Sequence, residues 1–320
     1  MTVPLSTAEL PPVDRSRPAW PGAEETIGGV RLHVRRTPGT GGDPAASAVP
    51  AVYVHGLGGS ATNWTDLADQ LSGHAPGLAV DLPGFGRSAP PTGYDFTLRS
   101  HVATLIRVLR GLDGPVHLLG NSMGGAISLL TAAEAPELVR TLTLVSPAVP
   151  DLRPSPKRLS DPRMVLAMLP VVGRRSREAL AAMPPTERAR RMLDLCFADP
   201  SLVSEERVAE SVAEYAERLD MAWSTPALAA STIALIRSWL VVGPRSLWRA
   251  APKVTAPTLV VWGDKDKLMS VRKAPRTARA IPNARLLVLR DVGHVAQMEQ
   301  PDTVARAVLG LWDAAAENRW

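Results

Sequence analysis

Cysteine is almost absent from this 320-residue chain, with Cys196 the single example. That excludes a disulfide framework and any multi-cysteine zinc or iron–sulfur site. Long apolar runs are missing too, since no stretch reaches the roughly 18 residues of a membrane span before Pro or Arg interrupts it. The first two dozen residues carry Pro4, Pro11, Pro12, Asp14, Pro18 and Pro21, without the basic and then apolar regions of a secretory signal, so the expected location is cytoplasmic. Nor does one sign of charge dominate. The formal excess is only +5, aromatics make up 4%, and the basic residues are not interleaved with them, so no nucleic-acid partner is expected.

What is present describes an ordinary globular protein. Hydrophobic residues account for 45% and charged residues for 21%, which is incompatible with disorder over most of the length. The length suits two domains of about 150 residues or one α/β domain enlarged by an insertion. Thirty prolines predict many turns and interrupted helices.

Residues 26–36, around Gly28 and Gly29, read as a leading hairpin, and residues 38–50 as a flexible connection. Short apolar runs then recur at 51–54, 78–80, 116–119, 141–145, 257–262 and 285–289. They lack clean polar alternation, as expected for strands buried on both faces of a parallel sheet. Helix-like segments such as 98–109 and 126–135 lie between them, and this rhythm predicts an α/β class. It stops near Pro150 and resumes near Thr255. The intervening hundred residues are helical in pattern and are expected to form a lid over the carboxyl edge of the sheet, where open α/β folds place ligands. The organisation is therefore a Pro-rich extension over 1–24, a core over 25–150, a lid over 151–250 and the rest of the core over 251–320.

The most specific chemical signal is Gly120-Asn121-Ser122-Met123-Gly124, set between an apolar strand and a helix. It fits the G-x-S-x-G elbow, whose glycines allow the close backbone approach that a sharply presented nucleophile needs. A serine hydroxyl is weak alone and requires a base within hydrogen-bond reach. Six histidines are available. His33 falls in the hairpin, His74 in a turn, His101 on a helix, His117 in the strand before the elbow, and His55 at the end of the first central strand. His294, in Asp291-Val292-Gly293-His294 after the last strand, is placed to reach the serine. The base needs a carboxylate to hold its tautomer. The strand ending in Gly263-Asp264-Lys265-Asp266 offers two; Asp266 is preferred over Asp264, with Asp151 as the outside choice. Oxyanion donors are expected from the backbone N–H of Met123 and from the loop His55-Gly56-Leu57-Gly58-Gly59, with Leu57 N–H the best placed. His55, Gly56, Trp64, Asn121 and Val295 are candidates for substrate contact. No metal or organic cofactor is implied.

These blocks, together with Asp81-Leu82-Pro83-Gly84-Phe85-Gly86-Arg87-Ser88, resemble those of the α/β-hydrolase fold superfamily in their order. The resemblance runs from about residue 25 to the C-terminus, with 151–250 matching only as a variable lid. It implies a mostly parallel sheet flanked by helices, a Ser122, Asp266, His294 triad and a carboxylesterase or lipase-like activity on an ester with an apolar part. Haloalkane dehalogenases and epoxide hydrolases of the superfamily carry aspartate where Ser122 stands. The Gly-Asn-Ser-Met-Gly-Gly elbow is similar to that of carbon–carbon bond hydrolases acting on meta-cleavage products, although those commonly have Trp where this chain has Val295. A cofactor-free perhydrolase is a further alternative, and a non-enzymatic binding protein of the same fold usually lacks part of the triad.

The basic excess has an address. Residues 151–200 contain ten Lys and Arg against six Asp and Glu. The same region holds the apolar run 164–172, flanked by Arg163 and by Arg174 and Arg175. It reads either as a packed lid helix or as a flap making transient contact with a lipid surface. Met183, Met192, Trp223 and Trp239 are candidates to line the cavity beneath.

Overall fold

The computed structural model describes residues 2–38, 49–151, 182–243 and 246–320, together with Arg175. The connection over 38–50 and the run 164–172 thus fall largely or wholly outside the described residues.

Eight strands form one sheet: β1 (Gly22–Ile27), β2 (Val30–Thr37), β3 (Ala51–Val54), β4 (Gly77–Val80), β5 (Val116–Asn121), β6 (Val139–Val145), β7 (Thr258–Gly263) and β8 (Ala284–Leu289). Their order is β1-β2-β4-β3-β5-β6-β7-β8; β2 runs antiparallel to both its neighbours, β1 and β4, and β3 to β8 run parallel to one another. The β1–β2 turn is Gly28-Gly29, both at positive φ (56° and 71°), as a two-residue hairpin turn demands. Strand β1 begins at Gly22, inside the segment read as an extension. Its exposed Gly-Ala-Glu-Glu start shows no apolar alternation, so only the pairing of Gly22 with Arg35 and Ala23 with Val34 reveals it.

The central strands are buried at nearly every position because each face has its own core. Val52 and Val54 of β3, Leu118 of β5 and Val260 and Trp262 of β7 join one cluster. Tyr53, Leu119, Leu259 and Val261, the alternate positions, join the other. Period-two pleating sends successive side chains to opposite faces, and both faces are dry.

The helices with described bounds, in chain order, are α1 (Thr65–Leu71), α2 (Leu98–Arg110), α3 (Met123–Glu134), α4 (Pro185–Cys196), α5 (Glu205–Leu219), α6 (Ser224–Trp239), α7 (Leu247–Ala250), α8 (Ala274–Ala280), α9 (Ala296–Glu299) and α10 (Pro301–Ala316). Helices α1 and α10 cover one face of the sheet and α2 and α3 the other. Between β6 and β7 lie α4 to α7, the described helices of the insertion. No single helix among the described residues is long and apolar enough to cross a membrane.

Residues 2–21 lie on the α1–α10 face. Ser6 N–H donates to Arg306 O at 2.9 Å, Gln70 donates to the Pro11 carbonyl, and Arg17 pairs with Asp69.

Strand order positions the site. From β3 the sheet grows toward β4 on one side and β5 on the other, so the carboxyl ends of β3 and β5 flank a topological switch point. The loops after β3, β5, β7 and β8 meet at that edge and carry the residues singled out above.

Candidate active site

Ser122 sits between β5 and α3 with φ 53° and ψ −117°, a conformation costing a non-glycine residue on the order of 1–3 kcal/mol. The surroundings enforce it. Ser122 N–H donates to Val145 O at 3.0 Å, while Ser122 O accepts from Ala148 N–H at 2.8 Å and from Ala126 N–H at 3.0 Å. The flanking glycines are steric necessities: a Cβ on Gly120 would lie 2.5 Å from Gly124 O, and one on Gly124 would lie 2.3 Å from Val54 O. Unlike its neighbours Asn121 and Met123, Ser122 is only half-buried. Helix α3 starts at Met123, earlier than the sequence pattern suggested, so the serine stands at a helix N-terminus.

His294 follows β8 on a loop held from several sides. Asp264 Oδ1 accepts Asp291 N–H at 2.8 Å, Glu299 Oε1 accepts Gly293 N–H at 2.7 Å, and His294 N–H donates to Cys196 O at 2.6 Å. The ring Nδ1 lies 2.9 Å from Asp266 Oδ2. Asp266 Oδ1 accepts N–H bonds from Leu268 at 2.9 Å and Met269 at 2.8 Å, which fixes the carboxylate plane. Both side chains are buried. With Asp266 as acceptor, Nδ1 carries the ring proton and Nε2 is left as the basic nitrogen. Nε2 has no hydrogen-bond partner among the described residues, and Ser122 Oγ makes no bond to it in this state; such contacts are often long before substrate binds.

The other acids do other work. Asp264 braces the histidine loop from its surface, and Asp151, buried after β6, pairs with Lys273 at 3.5 Å.

His55 is a structural link. Its Nδ1–H donates to Gly56 O at 2.7 Å and its Nε2 accepts Leu82 N–H at 3.0 Å, tying the β3 loop to the β4 loop. Burial pushes its imidazole below the usual histidine range, outweighing the pull of Asp81, so it is neutral. Gly56 O also accepts Gly59 N–H at 3.0 Å. Because a trans peptide points its N–H opposite its C=O, these two donors aim Leu57 N–H away from the turn. A Cβ on Gly56 would lie only 3.0 Å from Ser122 Cβ, so this loop runs beside the elbow. Neither Leu57 N–H nor Met123 N–H donates to a partner among the described residues.

Asn121 does not open into a cavity: its Nδ2 donates to Val145 O and to His294 O, each at 3.1 Å. Val295 is buried at the start of α9. Trp64 requires a correction. It is fully buried in the core on the α1–α10 face, 5.4 Å from the Tyr53 ring, because the 3-10 turn Ala61–Trp64 directs it there. Of the proposed lining residues in the insertion, Met183 is buried, Trp239 Nε1 donates to Ala148 O at 3.1 Å, and Met192 Sδ lies 3.6 Å from Cys196 Sγ. Trp223 keeps a buried indole N–H without a partner.

The Asp81 motif is a buried hub. Asp81 accepts Ala61 N–H at 2.6 Å, His33 Nδ1–H at 2.8 Å and Arg87 N–H at 2.9 Å. Burial opposes its charge, but the His33 bond and the Arg87 and Ala61 amides hold the carboxyl below its ordinary range.

Several groups from the insertion and from α9 carry no signature in the sequence. Glu299 joins Gly293 N–H to Ala198 N–H (2.9 Å), and burial raises its carboxyl above the usual range. Burial first, then Asp266 and Glu299, push the Cys196 thiol up to about 12. Arg218 and Glu214 of α5 contact the loop after β3. No motif marks any of them. Among the described residues no cluster of His, Cys, Asp or Glu is set to hold a metal ion.

Lipase 1 of Psychrobacter immobilis is 28% identical over 258 residues, covering 80% of this chain and 74% of the lipase. A 2-hydroxy-6-oxononadienedioate/2-hydroxy-6-oxononatrienedioate hydrolase of Cupriavidus pinatubonensis is 28% identical over 274 residues, 83% of this chain and 88% of that protein. The crystal structure of a meta-cleavage product hydrolase from Pseudomonas fluorescens superposes with a TM-score of 0.72 at 21% identity, covering 92% of this chain and 98% of that one. The family model for the alpha/beta hydrolase fold matches residues 50–301, from the start of β3 to the start of α10. That match spans more than three quarters of the sequence, and the chain belongs to the alpha/beta hydrolase fold family.

Proposed function

We propose that this hydrolase is a serine esterase, carboxylesterase or lipase-like, acting on a carboxylic ester with an apolar acyl or alcohol part. The observation that carries the reading is the His294–Asp266 pair at the same sheet edge as a strained, half-exposed Ser122. In the reaction, Ser122 Oγ attacks the ester carbonyl as His294 Nε2 takes its proton. Asp266 holds the ring tautomer and stabilises the imidazolium. The Leu57 and Met123 amides receive the negative oxygen, aided by the positive end of α3. His294 then gives the proton to the leaving alcohol, and water, activated by the same base, releases the acid.

The lipase relatives support the ester reading. Similarity to the dienedioate hydrolases supports a second one, carbon–carbon bond hydrolysis with the same serine and histidine. A panel of p-nitrophenyl esters of increasing chain length, run beside a 2-hydroxy-6-oxo-dienoate, separates them. Higher kcat/KM on an ester, abolished by Ser122→Ala, is expected; faster turnover of the dienoate would replace the ester reading with the second.

Transient lipid contact belongs to the same reading and rests on α6 and its C-terminal end. Ile233, Ile236, Leu240 and Val242 are exposed there, an arrangement that suits an interface. The ester panel repeated above the micellar threshold tests it, and a rate that does not rise at the interface removes it.

A further inference from the structure

Helix α5 of the insertion lies against the loop that follows β3. One stripe of its surface carries Arg207, Glu210, Glu214 and Arg218, spaced three or four residues apart, and every member of it bonds to the rest of the protein. Arg207 pairs with Asp66 at 2.5 Å, and Glu210 Oε1 accepts Ala19 N–H at 3.0 Å. Glu214 Oε1 accepts the Ser60 hydroxyl at 2.7 Å and the Thr62 hydroxyl at 2.9 Å. The Arg218 guanidinium donates to Gly58 O through Nη1, and through Nη2 to Gly59 O at 3.2 Å and Glu214 Oε2 at 3.1 Å. Beside the stripe, Glu217 holds Arg87 with two bonds, at 2.9 and 2.8 Å.

The residues gripped by Arg218 form the turn that presents Leu57 N–H. Gly58 lies at φ 73° and is followed by Gly59, so two consecutive peptide units lack side chains to set their orientation. His55 fixes the near end of the turn through Gly56 O. Only Arg218 holds the carbonyls of the far end among the described residues. A guanidinium is suited to this because its planar fork offers two donors in a fixed geometry, and Glu214 sets the plane of the fork. Arg218 is largely shielded from solvent, so the bonds are weakly screened.

We propose that Arg218, aligned by Glu214, is a positioning residue of the oxyanion site: it fixes the Gly58 and Gly59 peptides and thereby keeps Leu57 N–H aimed beside Ser122. The insertion therefore contributes to transition-state stabilisation through α5. This rests on the reading of Ser122 as nucleophile and Leu57 N–H as donor.

The test is the second-order rate at which a fluorophosphonate labels Ser122 in the full chain and in Arg218→Met, Arg218→Lys and Glu214→Gln. Phosphonylation builds negative charge on the phosphoryl oxygen whatever carbonyl substrate the enzyme prefers. Arg218→Met is expected to label about 10- to 100-fold more slowly, with KM for an ester changed by less than about twofold, since transition-state and not ground-state contacts are lost. Arg218→Lys should recover part of the rate, and Glu214→Gln should fall between. Thermal midpoints recorded alongside separate folding from positioning. Labelling of Arg218→Met at the wild-type rate, even with a lower midpoint, overturns the inference and leaves the serine reading intact. If Arg218→Met does not fold, wild-type rates in both Arg218→Lys and Glu214→Gln overturn it equally. A wild-type protein that is not labelled at Ser122 overturns the underlying reading, and the inference with it.

Discussion

The carboxamide of Asn121, the residue before Ser122, donates from Nδ2 to the carbonyl oxygen of His294 at 3.1 Å. The two residues are far apart in sequence, on β5 and on the loop after β8, yet this one side chain ties the elbow to the base. Its second bond, to Val145 O, anchors it in β6.

Asn121→Ala should therefore loosen the separation between Ser122 and His294 without removing either. Loss of two buried hydrogen bonds, with two carbonyls left without that donor, costs about 1–3 kcal/mol of stability, and a loosened base lowers kcat by roughly tenfold or more. Urea denaturation and steady-state kinetics measure the two effects. Wild-type kcat in this variant would show that the brace has no catalytic consequence.

Asp266 and Asp264 are two residues apart and make opposite predictions. Asp266→Asn presents an amide to His294 Nδ1, favours the wrong tautomer and should lower kcat by about 10³- to 10⁴-fold. Asp264→Asn keeps an oxygen able to accept Asp291 N–H, so its stability cost should stay under about 1 kcal/mol with turnover close to wild type. Kinetics of the two variants under one set of conditions would decide, and comparable losses would remove the distinction.

The residues that were legible in the sequence are those whose role is imposed locally. Gly120 and Gly124 flank a backbone that only a sharp turn requires, and the apolar runs of β3 to β8 reflect burial on both faces. Asp266 and His294 each follow a strand at the edge where α/β sheets place ligands. Arg218, Glu214 and Glu299 were not legible, because their partners are backbone groups and hydroxyls brought close only by the docking of the insertion. Trp64 misled for a related reason: it is near the oxyanion loop in sequence, but one 3-10 turn rotates it into the opposite core. The β1 start stayed hidden because an exposed edge strand carries no apolar pattern.

Acid should destabilise the fold through buried neutral histidines. Burial pushes His101 and His117 down to about 3, with the charge of Arg140 adding to the effect at the second. Above the unfolded value of about 6.5 neither state is protonated, so nothing is lost. Below it the unfolded chain binds protons that the native state refuses. Stability then falls by up to about 1.4 kcal/mol per pH unit for each histidine, until the native groups titrate near 3. His117 bonds Thr141 Oγ1 at 2.8 Å and stacks on Trp312 at 4.1 Å. His117→Gln should be less stable at pH 7.5 yet lose less on acidification to pH 4.5, by one histidine's share. An unaltered pH slope in urea unfolding would contradict this.

Cys196 lies beside the candidate base, with its carbonyl on His294 N–H, and could be mistaken for a competing nucleophile. Its environment argues the reverse. Cysteine reacts as the thiolate, and positive neighbours are what usually favour that form. Here burial and the carboxylates of Asp266 and Glu299 favour the thiol, whose pKa rises to about 12, and Lys267 offsets this only in part. Lys267 directs its ammonium to the carbonyls of Asp194 (2.6 Å) and Phe197 (3.0 Å), which flank Cys196 in the chain. Native protein at pH 8 should therefore take up no iodoacetamide at Cys196 over a period in which the urea-unfolded chain is fully alkylated, as read by intact mass. A fluorophosphonate adduct should meanwhile map to Ser122 alone. Rapid alkylation of the native thiol would mean that the carboxylates do not control its charge and would reopen the assignment of the nucleophile.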